Sequence, residues 1–95
     1  MKYGFLNCLG SIKRARNIDN CIALKLTEIG VHTISDLRVL GAVEAYLRIR
    51  ERFSERIIRK SYYLFCLEGA ILNINWHDLS INRKRELLEQ VYWYQ

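Results

Sequence analysis

Six consecutive residues, Tyr62-Tyr63-Leu64-Phe65-Cys66-Leu67, constrain this chain more than any other feature. Wound into a helix they are apolar on nearly every side, and they lie inside a longer apolar stretch from Ile57 to Leu72. A helix without a polar face cannot rest on a surface; it belongs at a centre. About fifteen residues fall short of the roughly 20 that span a bilayer. Arg59, Lys60 and Glu68 also interrupt the stretch, so other helices rather than lipid must surround it. Ninety-five residues supply those neighbours within one domain, since a chain of this size buries roughly 60–65% of its unfolded surface, enough for one core.

Those neighbours read as short amphipathic helices. Ile22, Leu26 and Ile29 recur at helical spacing, Asp19 is placed to cap the first turn, and Gly30 stands where a left-handed residue ends a helix, which predicts a helix over about 20–29. Thr33 opens a second helix, with Asp36 at the acidic position of a capping box; it runs to Leu40 and stops at Gly41. A third covers Ala42 to Phe53, with Val43, Tyr46, Leu47 and the Arg50 stem facing inward and Glu44 set to pair with Arg48. Arg48, Arg52 and Arg56 then share its outer face, and Ser54 and Glu55 make a joint before the central helix. Residues 73–78 form a polar loop carrying Ile74 and Trp76, and Ser80 caps a last helix from Ile81 to about Trp93, with Leu87, Leu88, Val91 and Tyr92 as its inner stripe. Proline is absent and no segment alternates in the manner of a strand. The expected class is all-α: a compact bundle of about five short helices, with Phe5 to Arg14 a candidate sixth.

Charge is unevenly placed. The net +5 comes mostly from residues 1–16, where Lys2, Lys13, Arg14 and Arg16 meet no acid, and from residues 48–60, where Arg48, Arg50, Arg52, Arg56, Arg59 and Lys60 face only Glu51 and Glu55. A basic balance suits anionic partners such as nucleic acid, and equally a solvated surface. Cys8, Cys21 and Cys66 are odd in number and lack metal-ligand spacing, so they are read as small core hydrophobes in a reducing compartment. The first nine residues are too short and polar for a signal peptide or a span, and a cytoplasmic location is expected.

The segment Ile29-Gly30-Val31-His32-Thr33 joins two helices through a tight glycine turn, a helix–hairpin–helix-like arrangement. In the nucleic-acid-binding form of such a turn, backbone N–H groups reach phosphate beside a lysine or arginine. Two glycines normally allow that approach; His32 replaces the second here, which weakens the DNA-binding version.

A wider pattern is more specific. Asn17-Ile18, Leu26-Thr27-Glu28-Ile29-Gly30-Val31-His32-Thr33, Asp36-Leu37-Arg38, Leu40-Gly41-Ala42-Val43-Glu44-Ala45-Tyr46-Leu47-Arg48 and Leu67-Glu68-Gly69-Ala70, followed by Trp76, His77 and Leu79, resemble in order and spacing the C-terminal domain of the TfoX/Sxy family. The resemblance runs from about Lys13 to Leu88 and leaves residues 1–12 as an N-terminal extension of unknown role before a helical domain over 13–95. It implies a module related to helix–hairpin–helix domains, found behind an N-terminal α/β domain or standing alone. The two-domain members are regulators of natural competence that act with a cyclic-AMP-dependent activator at promoters. This sequence looks like the stand-alone kind, and it departs from the family where a Leu-Pro pair usually precedes the asparagine and Ala15-Arg16 stands here.

Candidate sites are weighed against plainer roles. Glu68 is either a ligand-contacting acid or, the favoured reading, a structural carboxylate bonded to a loop N–H or the Trp76 indole, because an unpaired buried charge is costly. Gly69 is expected to admit a neighbouring backbone. His32 and His77 lie on separate turns with no further ligand nearby, so structural roles are favoured over metal or catalysis. No nucleophile triad, carboxylate pair or phosphate-cradling loop is present, and neither enzyme chemistry nor a cofactor is expected. Tyr62, Tyr63 and the run Tyr92-Trp93-Tyr94 could stack on bases, but at helical spacing they read as core, with at least one terminal ring exposed or in a contact with another chain.

The first functional expectation is a non-enzymatic accessory module that docks onto a protein of the transcription or competence machinery. The alternative is direct DNA binding through Gly30 and His32 of the turn, with Lys13, Arg14, Arg16, Arg48, Arg52, Arg56 and Arg59. A weaker third is a homodimer through the aromatic C-terminus. Gly30, Gly41, Glu68, Gly69 and Trp76 are expected to be structural signatures.

Overall fold

The computed structural model describes residues 11–53 and 60–93. Five helices run through them: α1 (Asn20–Glu28), α2 (Ile34–Leu40), α3 (Ala42–Arg52), α4 (Lys60–Leu72) and α5 (Ile81–Trp93), with single 3-10 turns at Ile12–Arg14 and Trp76–Asp78. The described residues contain no strand, only an isolated bridge between Ser11 and Thr33. The all-α expectation holds. Cys8, the Phe5–Gly10 part of the candidate sixth helix, the Ser54-Glu55 joint, Arg56, Arg59 and Tyr94 lie outside the described residues. Within that candidate helix, Ile12 to Arg14 forms the first 3-10 turn, and Ile12 is wholly buried.

Helix α4 sits where its composition requires. Every residue from Tyr63 to Ala70 is buried, and the helix packs on α2, α3, α5 and the Trp76 turn. Helix α3 is its main partner and also touches α1, α2 and α5. Tyr46, Ile49, Leu64, Leu67 and Leu87 meet in the core, and each large side chain wholly buried there contributes roughly 1.5–3 kcal/mol.

Local sequence fixes the corners. The Asp19 carboxylate accepts from Ile22 N at 2.9 Å, capping α1. Thr33 Oγ1 accepts from Asp36 N at 3.1 Å while Asp36 Oδ2 accepts from Thr33 N at 3.2 Å, a complete capping box. Gly30 and Gly41 have φ of +92° and +91°, where a side chain would be strained. Gly41 ends α2 through its N–H to Leu37 O at 2.7 Å and begins α3 through its carbonyl to Ala45 N at 3.0 Å, so the two helices share one joint residue.

Three expectations are corrected. Leu88 and Tyr92 do not belong to the inner stripe of α5; they are 42% and 73% exposed, whereas Leu87 and Val91 are buried in the core. Cys21 is exposed rather than core, because Ile22, Ala23 and Leu26 take the inward face of α1. Cys66 is buried as expected, and burial pushes its thiol up to about 11 despite a hydrogen bond with Tyr62. Glu68 does pair, but with Arg83 across 2.9 Å rather than with a loop N–H or the Trp76 indole.

Candidate nucleic-acid and partner interface

The turn between α1 and α2 leaves no backbone donor open. Gly30 N donates to Thr27 O at 3.1 Å and Val31 N to Leu26 O at 2.9 Å. His32 N donates to Asp36 Oδ2 at 3.0 Å, and Thr33 N donates to the same oxygen. The His32 carbonyl accepts from Ile12 N at 3.0 Å, tying the first 3-10 turn to the hairpin. Asp36 thus places a carboxylate where a phosphate would have to approach, and its bonds, chiefly the one from His32 N–H, hold it below the usual carboxyl range. The His32 and Gly30 side of the turn is exposed.

The basic residues divide into two groups. On α3, Arg48 Nε bonds Glu44 at 2.8 Å, the predicted pairing, and Arg52 Nη2 bonds Glu28 of α1 at 2.9 Å. Both pairs are solvent-exposed, so each is worth roughly 0–1 kcal/mol and opens readily. Lys13, Arg14 and Arg16 follow Ser11 in the first turn and are exposed. Arg14 and Arg16 line a cleft of about 300 Å³ together with Ala15, Ile34, Arg38 and Ala70. Arg38 Nε donates to Ile71 O at 3.3 Å, at the end of α4. Among the described residues no acidic side chain lines this cleft. The sequence spacing named Arg14 and Arg16; Arg38 was missed because only the fold carries α2 over to them.

A structural joint brings together two of the signature residues, Gly69 and Trp76. Asn17, itself at φ +71°, donates from Nδ2 to Ile74 O at 2.8 Å and accepts from Trp76 N at 3.2 Å. Gly69 lies beneath: a Cβ there would strike the Asn17 side chain and come within 2.9 Å of Ile74 O and 3.3 Å of Trp76 Cα. The Trp76 ring stacks on His77 at 4.0 Å and on Phe65 at 6.1 Å, with Lys84 Nζ 5.6 Å from its centre. His77 Nδ1 lies 2.8 Å from Asn75 Oδ1, so this imidazole serves the loop.

A second cleft, of about 590 Å³, opens between Gly41, Arg38, Ile71 and Gln90, with the Glu68–Arg83 pair in its wall. The Glu68 side chain is 8% exposed and that of Arg83 is 37% exposed. The bond to Glu68, aided by Glu86, raises the Arg83 guanidinium above its ordinary value. Among the described residues no group of His, Cys, Asp and Glu could hold a metal ion, and no helix is long and apolar enough to cross a membrane.

Comparison with known proteins agrees with this architecture. Protein Sxy of Escherichia coli is 39% identical over 64 residues, which are 67% of this chain and 29% of that protein, so the chain matches under a third of its relative's length. An uncharacterized protein from Listeria monocytogenes, in a triclinic crystal form, superposes with a TM-score of 0.78 at 31% identity, over 87% of this chain and 91% of that one. A protein of unknown function from the same organism, in a tetragonal form, gives 0.72 at 32% identity over 83% and 93%. Residues 10–91 match the TfoX C-terminal domain, and the chain belongs to that family.

Proposed function

We propose that this chain is a non-catalytic accessory module that docks onto a protein of the transcription or competence machinery. The reading rests on one observation: the hairpin donors from Gly30 to Thr33 are all consumed internally, and the Asp36 carboxylate stands over two of them. A phosphate at the turn would meet a negative charge and no open N–H group from Gly30 to Thr33. The regulatory setting follows from membership of the TfoX family and from likeness to Sxy.

A second reading keeps nucleic acid but moves it from the turn to the cleft. Arg14, Arg16 and Arg38 line one groove with no acid among its described residues, an arrangement that suits phosphodiester oxygens. Titration of the protein into labelled random-sequence duplex DNA at about 50 and about 200 mM salt separates the two, because phosphate contacts are lost steeply as salt rises. The docking reading expects no saturable binding at either salt. Binding that weakens with salt and disappears in an Arg14→Ala/Arg16→Ala variant would replace it with the second. Binding unaffected by that variant but abolished by substitutions at His32 would return the contact to the turn.

A further inference from the structure

The outward face of α5 forms a seam that the protein's own core does not use. Ile81, Arg85, Leu88 and Tyr92 follow one another at intervals of four, three and four, which is the d-a-d-a register of a heptad. Ile81, Leu88 and Tyr92 are 72%, 42% and 73% exposed. The neighbouring face, about 100° around the helix, is already engaged: Leu87 and Val91 are buried, Arg83 bonds Glu68, and Lys84 lies over Phe65 and Trp76. Helix α5 is therefore anchored along one face and exposes an apolar row beside it, and three large side chains in one row are more than scattered surface exposure.

We infer that this face is an isologous interface with a second copy of the same chain, the two α5 helices lying antiparallel. The order of charges along the helix selects that occupant and that direction. Along the helix the cations Arg83, Lys84 and Arg85 precede the acids Glu86 and Glu89. Antiparallel pairing sets Ile81 against Tyr92 of the second copy and Arg85 against its Leu88, with the Arg85 guanidinium beside its Glu89. A parallel pair would stack Arg85 on Arg85 and Glu89 on Glu89, placing like charges in the same layers. Among the described residues the Arg85 guanidinium makes a long 3.4 Å contact to Asn82, which leaves it able to turn toward a partner. A single pair of short helices lies at the small end of stable interfaces, so the dimer forms and dissociates with concentration. The inference is independent of the docking reading, since α5 is remote in sequence from both the hairpin and the arginines of the first turn.

Sedimentation equilibrium of the full chain, from about 1 µM to about 1 mM, tests it. The expected result is a monomer–dimer equilibrium. Leu88→Glu, at an exposed site that leaves the helical circular dichroism unchanged, raises the dissociation constant at least about tenfold. Arg85→Glu alone weakens the dimer by facing Glu89 with a like charge, and Arg85→Glu/Glu89→Arg restores it. A monomer throughout that range, or a dimer indifferent to Leu88→Glu, overturns the proposal. A dimer that weakens with Leu88→Glu but is not rescued by the double charge swap overturns the antiparallel arrangement.

Discussion

The side chain of Asn17 closes on Trp76, 59 residues away: its oxygen accepts the Trp76 N–H at 3.2 Å while its amide donates to Ile74 O at 2.8 Å. Two backbone groups of the loop after α4 therefore depend on one residue before α1. Replacing Asn17 with alanine leaves both part-buried groups without a partner, at a cost of about 1–3 kcal/mol. It also puts alanine at φ +71°, about 1 kcal/mol worse than glycine there. Chemical denaturation is expected to rank stability as wild type, then Asn17→Gly, then Asn17→Ala.

Gly69 supports the same joint from below. In an open helix Gly69→Ala would gain about 1 kcal/mol of propensity. Here the added methyl meets Ile74 O at 2.9 Å, and a backbone carbonyl cannot swing aside as a side-chain tip can. Overpacking of this kind costs about 1–3 kcal/mol, which exceeds the gain. The variant should melt several degrees below wild type, and the double variant with Asn17→Gly should lose less than the sum of the two single losses, since both open the same loop.

What could be read in the sequence was what local chemistry decides. Thr33 with Asp36, and the glycines at 30 and 41, work within a single turn, so spacing alone located them. The all-round apolarity from Tyr62 to Leu67 fixed α4 at the centre because burial is a property of composition. Leu88 and Tyr92 were misplaced for a geometric reason. Residues 87 and 91 lie about 100° around the helix from 88 and 92, and only contact with α3 and α4 decides which pair turns inward. The Arg83 partner of Glu68 and the Ile74 and Trp76 partners of Asn17 are 15, 57 and 59 residues distant, with no periodic signal to announce them.

Asp36 makes the hairpin acid-sensitive. Its carboxyl lies below the ordinary 3.8 because the ionised form accepts the His32 and Thr33 N–H groups. A depressed folded-state value means the contribution is fully present above the unfolded value and fades as pH falls through the folded one. Asp36→Asn should therefore lower the melting temperature at pH 7 and bring the variant and wild type together at a pH well below 3.8. Equal differences at both pH values would show that charge plays no part in the turn.

The two described cysteines should differ in reactivity. Cys66 is buried with its thiol raised to about 11, so almost none is thiolate at pH 8, whereas Cys21 is exposed. Iodoacetamide on the native protein, followed by peptide mapping, should modify Cys21 and leave Cys66 intact until denaturant is added. Early labelling of Cys66 would mean that α4 opens far more readily than its burial allows.

The Glu68–Arg83 pair is a half-buried bond whose two ends differ in exposure, and that asymmetry determines which substitution hurts. Arg83→Met leaves the Glu68 carboxylate, 8% exposed, without its cation. A fully buried pair broken in this way loses about 3–5 kcal/mol. Arg83 is 37% exposed and water can reach the vacated side, so about 1–3 kcal/mol is expected instead. Replacing both residues, Glu68→Met/Arg83→Met, removes the stranded charge along with its partner and should restore most of that loss, because an apolar pair of similar volume needs no desolvated ion. Urea denaturation of the two single variants and the double variant closes the cycle. A double variant as unstable as the sum of the singles would mean that the ion pair contributes no coupling and that Glu68 is held by packing alone.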